Sequence, residues 1–177
     1  MGGVDKGLVD FDGRPMVAHV IDRFAPQVAT IVVNANQNAE RYAAFGYAVV
    51  ADAVGGFAGP LAGLQAGLAF ATTSHVATVP CDSPFLPADL VARLAAAIAA
   101  GDADLAVART GDQPHPVFAL VHRRVLPHLE AFLAGGGRKI DAWYAALATV
   151  EVAFDDEADA FRNINTRDEL AGNLPQR

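Results

Sequence analysis

Pro80-Cys81-Asp82-Ser83-Pro84 places a carboxylate between two prolines, directly after the apolar run Ala77-Thr78-Val79. The prolines end a strand, so Asp82 stands where a buried strand would leave a sheet. In open α/β sheets, ligands collect at the carboxyl ends of strands. A hard divalent cation takes carboxylate oxygen there, shared with substrate phosphates. Asp82 is therefore a candidate metal ligand. It is equally a favoured N-cap residue for a helix beginning near residues 84–87. Met1-Gly2-Gly3-Val4-Asp5-Lys6-Gly7 offers a second kind of chemistry. Small residues let the backbone approach an anion closely, and Lys6 can neutralise it. The chain carries 11 Arg but only two Lys, Lys6 and Lys139. A compact ammonium suits a crowded phosphate site better than a planar guanidinium. The segment is not a P-loop, which follows a strand and closes on Lys-Ser or Lys-Thr.

Amides and further carboxylates complete the set. Asn34-Ala35-Asn36 ends an apolar run, and the Asn34 amide can both donate to and accept from a base edge, or make a turn. Asp52 opens the Gly-rich stretch 52–60 and can accept from a base or ribose, or start the turn. Asn163 and Asn165 alternate, which puts both on one side of an extended segment. Arg138 and Lys139 follow three glycines and suit a phosphate clamp or a solvated helix end. Arg14 and His115 are weaker candidates, each more readily a solvated flank or cap.

The elements that must position these groups alternate between strand and helix. Residues 30–33, 47–51, 75–79 and 104–108 read as apolar strands of the kind buried on both faces of a parallel sheet. Residues 115–121 read as an antiparallel edge strand, because Pro116 removes a ladder donor. Residues 149–154 alternate and end the sheet. Helices are expected after Pro15, at 40–44, 61–68, 87–100, 125–133 and 140–147. Thr166-x-x-Glu169 is a capping box before a last helix. Gly63 and Gly67 sit four apart on one helical face, which points to close approach of another helix or of a nucleotide. The pattern predicts a Rossmann-like, doubly wound α/β fold, a mostly parallel sheet with helices on both faces, as one domain over residues 1–177.

Composition narrows the functions. Hydrophobic residues make up 53% and charged residues 19%, which describes a folded globular chain. The net charge of −7 argues against nonspecific binding to nucleic acid or an anionic membrane. No run reaches the ~18 apolar residues of a membrane span. A single cysteine, Cys81, allows no internal disulfide and fits the cytoplasm.

Taken in order, Met1-Gly2-Gly3-Val4-Asp5-Lys6-Gly7-Leu8, Val32-Val33-Asn34-Ala35-Asn36, Gly59-Pro60-Leu61-Ala62-Gly63, Pro80-Cys81-Asp82-Ser83-Pro84 and Asn163-Ile164-Asn165-Thr166 resemble the molybdenum cofactor guanylyltransferases, the MobA family. The resemblance implies the nucleotide-diphospho-sugar transferase type of fold. It implies transfer of GMP from GTP to Mo-molybdopterin, with Mg²⁺, giving the guanine dinucleotide and pyrophosphate. By position, Lys6 and Asp82 match catalytic residues, and Lys6, Asn34, Asp52 and Asp82 match GTP-binding ones. Asp82 matches the magnesium ligand, and Asn163 and Asn165 the acceptor side, where Arg138 and Lys139 are further candidates. Cys81 is then a small strand-end residue and not a nucleophile. Implied partners are GTP, the molybdopterin acceptor, and proteins of molybdenum insertion and molybdoenzyme maturation. Relative to the family, the chain is expected to lack the first strand and half of the Gly-rich loop. Such a gap would leave an apolar slot and exposed strand edges. A related CTP- or sugar-phosphate nucleotidyltransferase, or a fragment that only binds ligand, are the competing readings.

Overall fold

The computed structural model describes residues 5–53 and 59–164. Asn165, the capping box at Thr166 and Glu169, and the glycines at 55 and 56 lie outside the described residues, as does the segment before Asp5. The chain opens with a 3-10 turn, Lys6–Leu8, and a hairpin of β1 (Asp10–Phe11) and β2 (Arg14–Pro15). Asp12 and Gly13 form its turn at φ 52° and 77°, a conformation glycine adopts without steric penalty. Helix α1 (Met16–Phe24) follows, with Pro15 at its N-cap. Then come β3 (Val32–Asn34), α2 (Ala39–Ala43), β4 (Ala48–Val50), α3 (Pro60–Phe70) and β5 (His75–Thr78). The second half holds α4 (Leu90–Gly101), β6 (Leu105–Thr110), β7 (Gln113–His122), α5 (Leu126–Ala134), α6 (Ile140–Tyr144) and β8 (Thr149–Ala153).

The main sheet has the order β5-β7-β6-β8. β6 and β8 are parallel, and β7 runs antiparallel to both β5 and β6. Side-chain alternation sorts its two faces. Leu105 and Val107 of β6 point to α3, α5 and α6, where Leu61, Leu68, Leu129 and Trp143 are buried. Ala106 and Ala108 point the other way, to α1 and α4, where Phe24, Leu90, Leu94 and Ile98 pack with Phe118 and Phe154. Period-two alternation thus gives each face its own core, and helices cover both.

Three expectations about strands are corrected. β7 is not an edge strand: it lies between β5 and β6. Pro116 is accommodated by a register shift, in which Val107 pairs with Ala119 but Ala108 pairs with His115. The bulge takes residues 116–118 out of the ladder, so the missing N–H leaves no gap in it. β3 and β4 form a separate parallel pair, and neither is fully buried. The same holds for β5, intermediate at every residue. Among the described residues no ladder joins β3 to β5. Between them lies a cavity of about 270 Å³, walled by Val32 and Val33 of β3, Val76 and Thr78 of β5, and apolar residues of α1 and α3. Among the described residues the strand edges facing this space have no ladder partner, which is why residues 30–33 and 75–79 lack the two-sided burial that their composition suggests.

Candidate functional site

Lys6 is held by its neighbours before it meets anything catalytic. The Asp5 carboxylate accepts the Tyr42 hydroxyl at 2.5 Å and the Asn38 amide at 2.9 Å, so the start and middle of α2 grip the loop. Burial, then the bond to Asp5, pushes the Tyr42 phenol well above its usual range. Gly7 is required by close packing: a Cβ there would sit 2.5 Å from the Tyr42 hydroxyl oxygen and 3.3 Å from Cys81 Cβ. Only a residue without a side chain fits between α2 and the turn after β5. That wedge aims Lys6 Nζ at Asp82 Oδ2, 3.1 Å away and 76 residues distant in sequence.

Asp82, 7% exposed, is the one buried charged residue among the described residues. It does not cap a helix: α4 begins at Leu90, with Asp89 at the N-cap. Its backbone carbonyl accepts the Ile164 N–H at 2.9 Å. The adjacent Ser83, fully buried, donates to Asn163 Oδ1 at 2.6 Å. The expected Asn163 segment therefore closes onto the Asp82 turn. Ser83 is the partner that the sequence reading missed; its only signal is the position next to Asp82. Cys81 shares this turn. Its side chain is exposed, yet the protein packed around the turn desolvates the sulfur and, with Asp82 and Asp5 adding negative charge, pushes the thiol up to about 11, away from thiolate chemistry near neutral pH.

The second half of the site sits at the carboxyl ends of β3 and β4. Asn34 Nδ2 donates to Asp52 Oδ1 at 2.9 Å, and Asn36 Nδ2 donates to Asp52 Oδ2 at 2.8 Å. Asn36 Oδ1 accepts the Asp52 N–H at 2.8 Å. The structure thus brings Asn34 and Asp52 together. Asn36 is an additional member whose alternation with Asn34 could have found it. Gly63 of α3 faces this group: a Cβ there would lie 2.5 Å from Asn34 Oδ1 and 3.1 Å from its Cγ. The close approach expected at Gly63 is therefore to Asn34. At Gly67 a Cβ would make ordinary contact with Val76.

The other candidates are placed elsewhere. Arg138 donates to the carbonyls of Leu133 and Gly137 at 2.9 and 2.7 Å and so ends α5, while Lys139 sits at the N-cap of α6. Both are exposed. Arg14 pairs with Asp22 at 2.8 Å on the surface. His115 meets Thr110 Oγ1 at 2.7 Å and stacks on Phe161, and burial lowers its pKa.

Among the described residues no three His, Cys, Asp or Glu side chains converge as a metal cage. One buried carboxylate beside a lysine fits a cation that takes most of its oxygens from ligand phosphates and water, the habit of Mg²⁺. No helix among the described residues is long and apolar enough to cross a membrane.

Comparison with known proteins adds a family. Residues 1–150 match the MobA-like NTP transferase domain. The chain is 53% identical over 175 residues to a molybdenum cofactor guanylyltransferase of Cupriavidus necator, covering 96% of this chain and 87% of that protein. It is 50% identical over 169 residues to one from Shewanella putrefaciens, with the same two coverages. Among solved structures, molybdopterin-guanine dinucleotide biosynthesis protein A from Archaeoglobus fulgidus superposes with a TM-score of 0.77 at 24% identity, over 96% of this chain and 89% of the other. A CMP:2-keto-3-deoxy-manno-octonic acid synthetase complexed with CTP gives a TM-score of 0.67 at 16% identity, over 94% and 89%. At these identities the structural likenesses speak to the fold.

Proposed function

The chain belongs to the MobA-like NTP transferases, and on that premise we propose that Lys6, Asn34, Asp52 and Asp82 form the GTP site of a nucleotidyltransferase of molybdenum cofactor synthesis. The reaction is transfer of GMP from GTP to molybdopterin. The terminal phosphate oxygen of molybdopterin attacks the α-phosphorus of GTP, the bond to the β-phosphate oxygen breaks, and pyrophosphate leaves. The acceptor brings its own nucleophile, so the protein needs no activated Ser, Cys or His. The high pKa of Cys81 agrees with that. What remains for the chain is positioning and charge stabilisation.

The observation that carries the reading is the Lys6–Asp82 pair at 3.1 Å. It joins a glycine-flanked lysine to a buried carboxylate at the end of the β5 segment. Lys6 neutralises phosphate oxygens from the loop side. Asp82 is the residue that would hold a divalent cation, taken here as Mg²⁺, which when bound shields the charge gathering on pyrophosphate. Asn34 and Asp52 hold the nucleoside. Asn163, held by the Ser83 hydroxyl beside the same turn, belongs to the acceptor side in this proposal. Asn165 is a further acceptor-side residue in this proposal, and Arg138 and Lys139, at the turn between α5 and α6, would act on the acceptor from outside this turn; the proposal also includes a cytoplasmic location and contacts with molybdenum-insertion and molybdoenzyme-maturation proteins.

The test is a nucleotide panel. Thermal shifts with GTP, CTP and ATP plus Mg²⁺ should rank GTP first. GTP labelled at the α-phosphate should pass label to molybdopterin with equimolar pyrophosphate. A larger shift with CTP, or pterin binding without pyrophosphate release, would overturn the reading.

A further inference from the structure

Asp52 is clamped from two sides, and only one of its clamps belongs to the proposed GTP-binding set. Asn34 holds Oδ1; Asn36 holds Oδ2 and also accepts the Asp52 backbone N–H. A single amide that grips both the main chain and the side chain of one residue fixes the rotation of its carboxylate. Strand pairing sets the clamp: Asn34 is opposite Val50 in the parallel ladder, and the Ala35 N–H donates to the Val50 carbonyl at 2.9 Å. Asn36 lies two residues past the end of β3, in the bend that follows it, and its amide reaches the same carboxylate as Asn34.

We propose that Asn36 is a positioning residue that orients the Asp52 carboxylate to accept the two adjacent donors of guanine, N1–H and the 2-amino group. Asp52 is acceptor-only when ionised, and each oxygen keeps lone-pair capacity beyond the bond that clamps it. Two acceptors side by side match two donors side by side. Guanine alone among the common bases shows that pair on its Watson–Crick edge; adenine has one donor beside an acceptor, cytosine one donor beside two acceptors, and uracil one donor between two acceptors. A site built around such bonds rejects an analogue that lacks one of them, because a charged acceptor is left unpaired. Asn36 contributes through Asp52 and makes no contact with the reacting phosphates. The inference rests on the reading of Asp52 as a nucleoside-binding residue.

The experiment is a binding and kinetic series on the wild type, Asn36→Ala, Asn36→Asp and Asp52→Ala. The ligands are GTP, ITP (which lacks the 2-amino group) and 2′-deoxy-GTP, each with Mg²⁺. The wild type should prefer GTP over ITP by roughly tenfold or more. Asn36→Ala should weaken GTP about five- to tenfold, shrink the GTP/ITP ratio, and leave kcat at saturating GTP near wild type. Asn36→Asp keeps the side-chain shape but sets a second negative charge against Asp52, so it should weaken GTP at least as much. It also covers the case in which the alanine variant folds poorly. An unchanged GTP/ITP ratio in both Asn36 variants, with the ratio collapsed in Asp52→Ala, would overturn the role of Asn36 alone. Wild-type GTP affinity in Asp52→Ala would overturn the reading of Asp52 itself. Equal wild-type affinity for GTP and ITP, with 2′-deoxy-GTP weakened, would move Asp52 to the ribose and refute the base-reading step.

Discussion

Gly63→Ala should separate binding from stability. Gly63 lies inside α3, and its backbone is not in the left-handed region, so alanine meets no conformational penalty. Helix propensity alone favours the change by about 1 kcal/mol. The new Cβ would fall 2.5 Å from Asn34 Oδ1 and 3.1 Å from Cγ. The Asn34 amide is the far end of a side chain, so it can turn away without moving backbone. In turning it gives up its bond to Asp52 at 2.9 Å and a longer one to the Val50 carbonyl at 3.3 Å. Each such bond is worth about 0.5–1.5 kcal/mol net, so against the propensity gain folding stability should range from unchanged to about 2 kcal/mol below wild type. GTP binding has no offsetting gain. Losing the Asn34 clamp should raise the GTP Kd about fivefold, the equivalent of about 1 kcal/mol. Gly67→Ala is the internal control, in the same helix and with the same propensity gain. Its Cβ would make an ordinary 3.7 Å contact with Val76. It should raise Tm by about 2–4 °C and leave GTP binding unchanged. Calorimetric titration and thermal melts on both variants decide the matter. Wild-type GTP affinity in Gly63→Ala, or an equal loss in Gly67→Ala, would refute the idea that Gly63 exists to admit Asn34.

Cys81 is exposed but should alkylate slowly: with its thiol pushed up to about 11, little thiolate is present at pH 8, so iodoacetamide should react much more slowly than with a free cysteine peptide, and equal rates would show that the thiol is not raised. His115 has its pKa lowered by burial. Between that lowered value and about 6.5 the unfolded chain binds more protons than the folded one, so stability should fall as pH drops through this window. The denaturant midpoint of His115→Phe should fall less between pH 7.5 and pH 5 than that of the wild type, and identical pH slopes would remove His115 as a contributor. Arg138→Ala should cost about 1 kcal/mol of stability through lost bonds at the α5 C-terminus; an unchanged melt would show that these bonds add nothing. A rise in the molybdopterin KM of the same variant would support the acceptor role.

Local patterns carried much of the fold. The helix after Pro15, the glycine-bearing α3, the buried run of β6 and the alternating β8 all follow from residue types and spacing. What failed was partnership. Pro116 speaks only for its own missing N–H, and the bulge that absorbs it is a property of β6 and β7 together. Apolar runs at 30–33 and 75–79 announce burial but not which edge faces open space. In the site, Lys6, Asn34, Asp52, Asp82 and Asn163 stood out because each ends an element or sits among glycines. Asn36, Ser83, Asp5 and Tyr42 did not, because their roles arise only from what they hold. Tyr42 reads as a helix residue until Asp5 is seen 2.5 Å away.

The most direct measurement is GMP transfer by the Asp82→Ala variant beside the wild type, with GTP, molybdopterin and a titration of Mg²⁺. Pyrophosphate release by the wild type should rise with Mg²⁺ and saturate. The variant, shown to be folded by its melt, should release none above background at any Mg²⁺ concentration. Transfer at the wild-type rate by Asp82→Ala would contradict the assignment of the buried carboxylate beside Lys6 as the centre of the reaction.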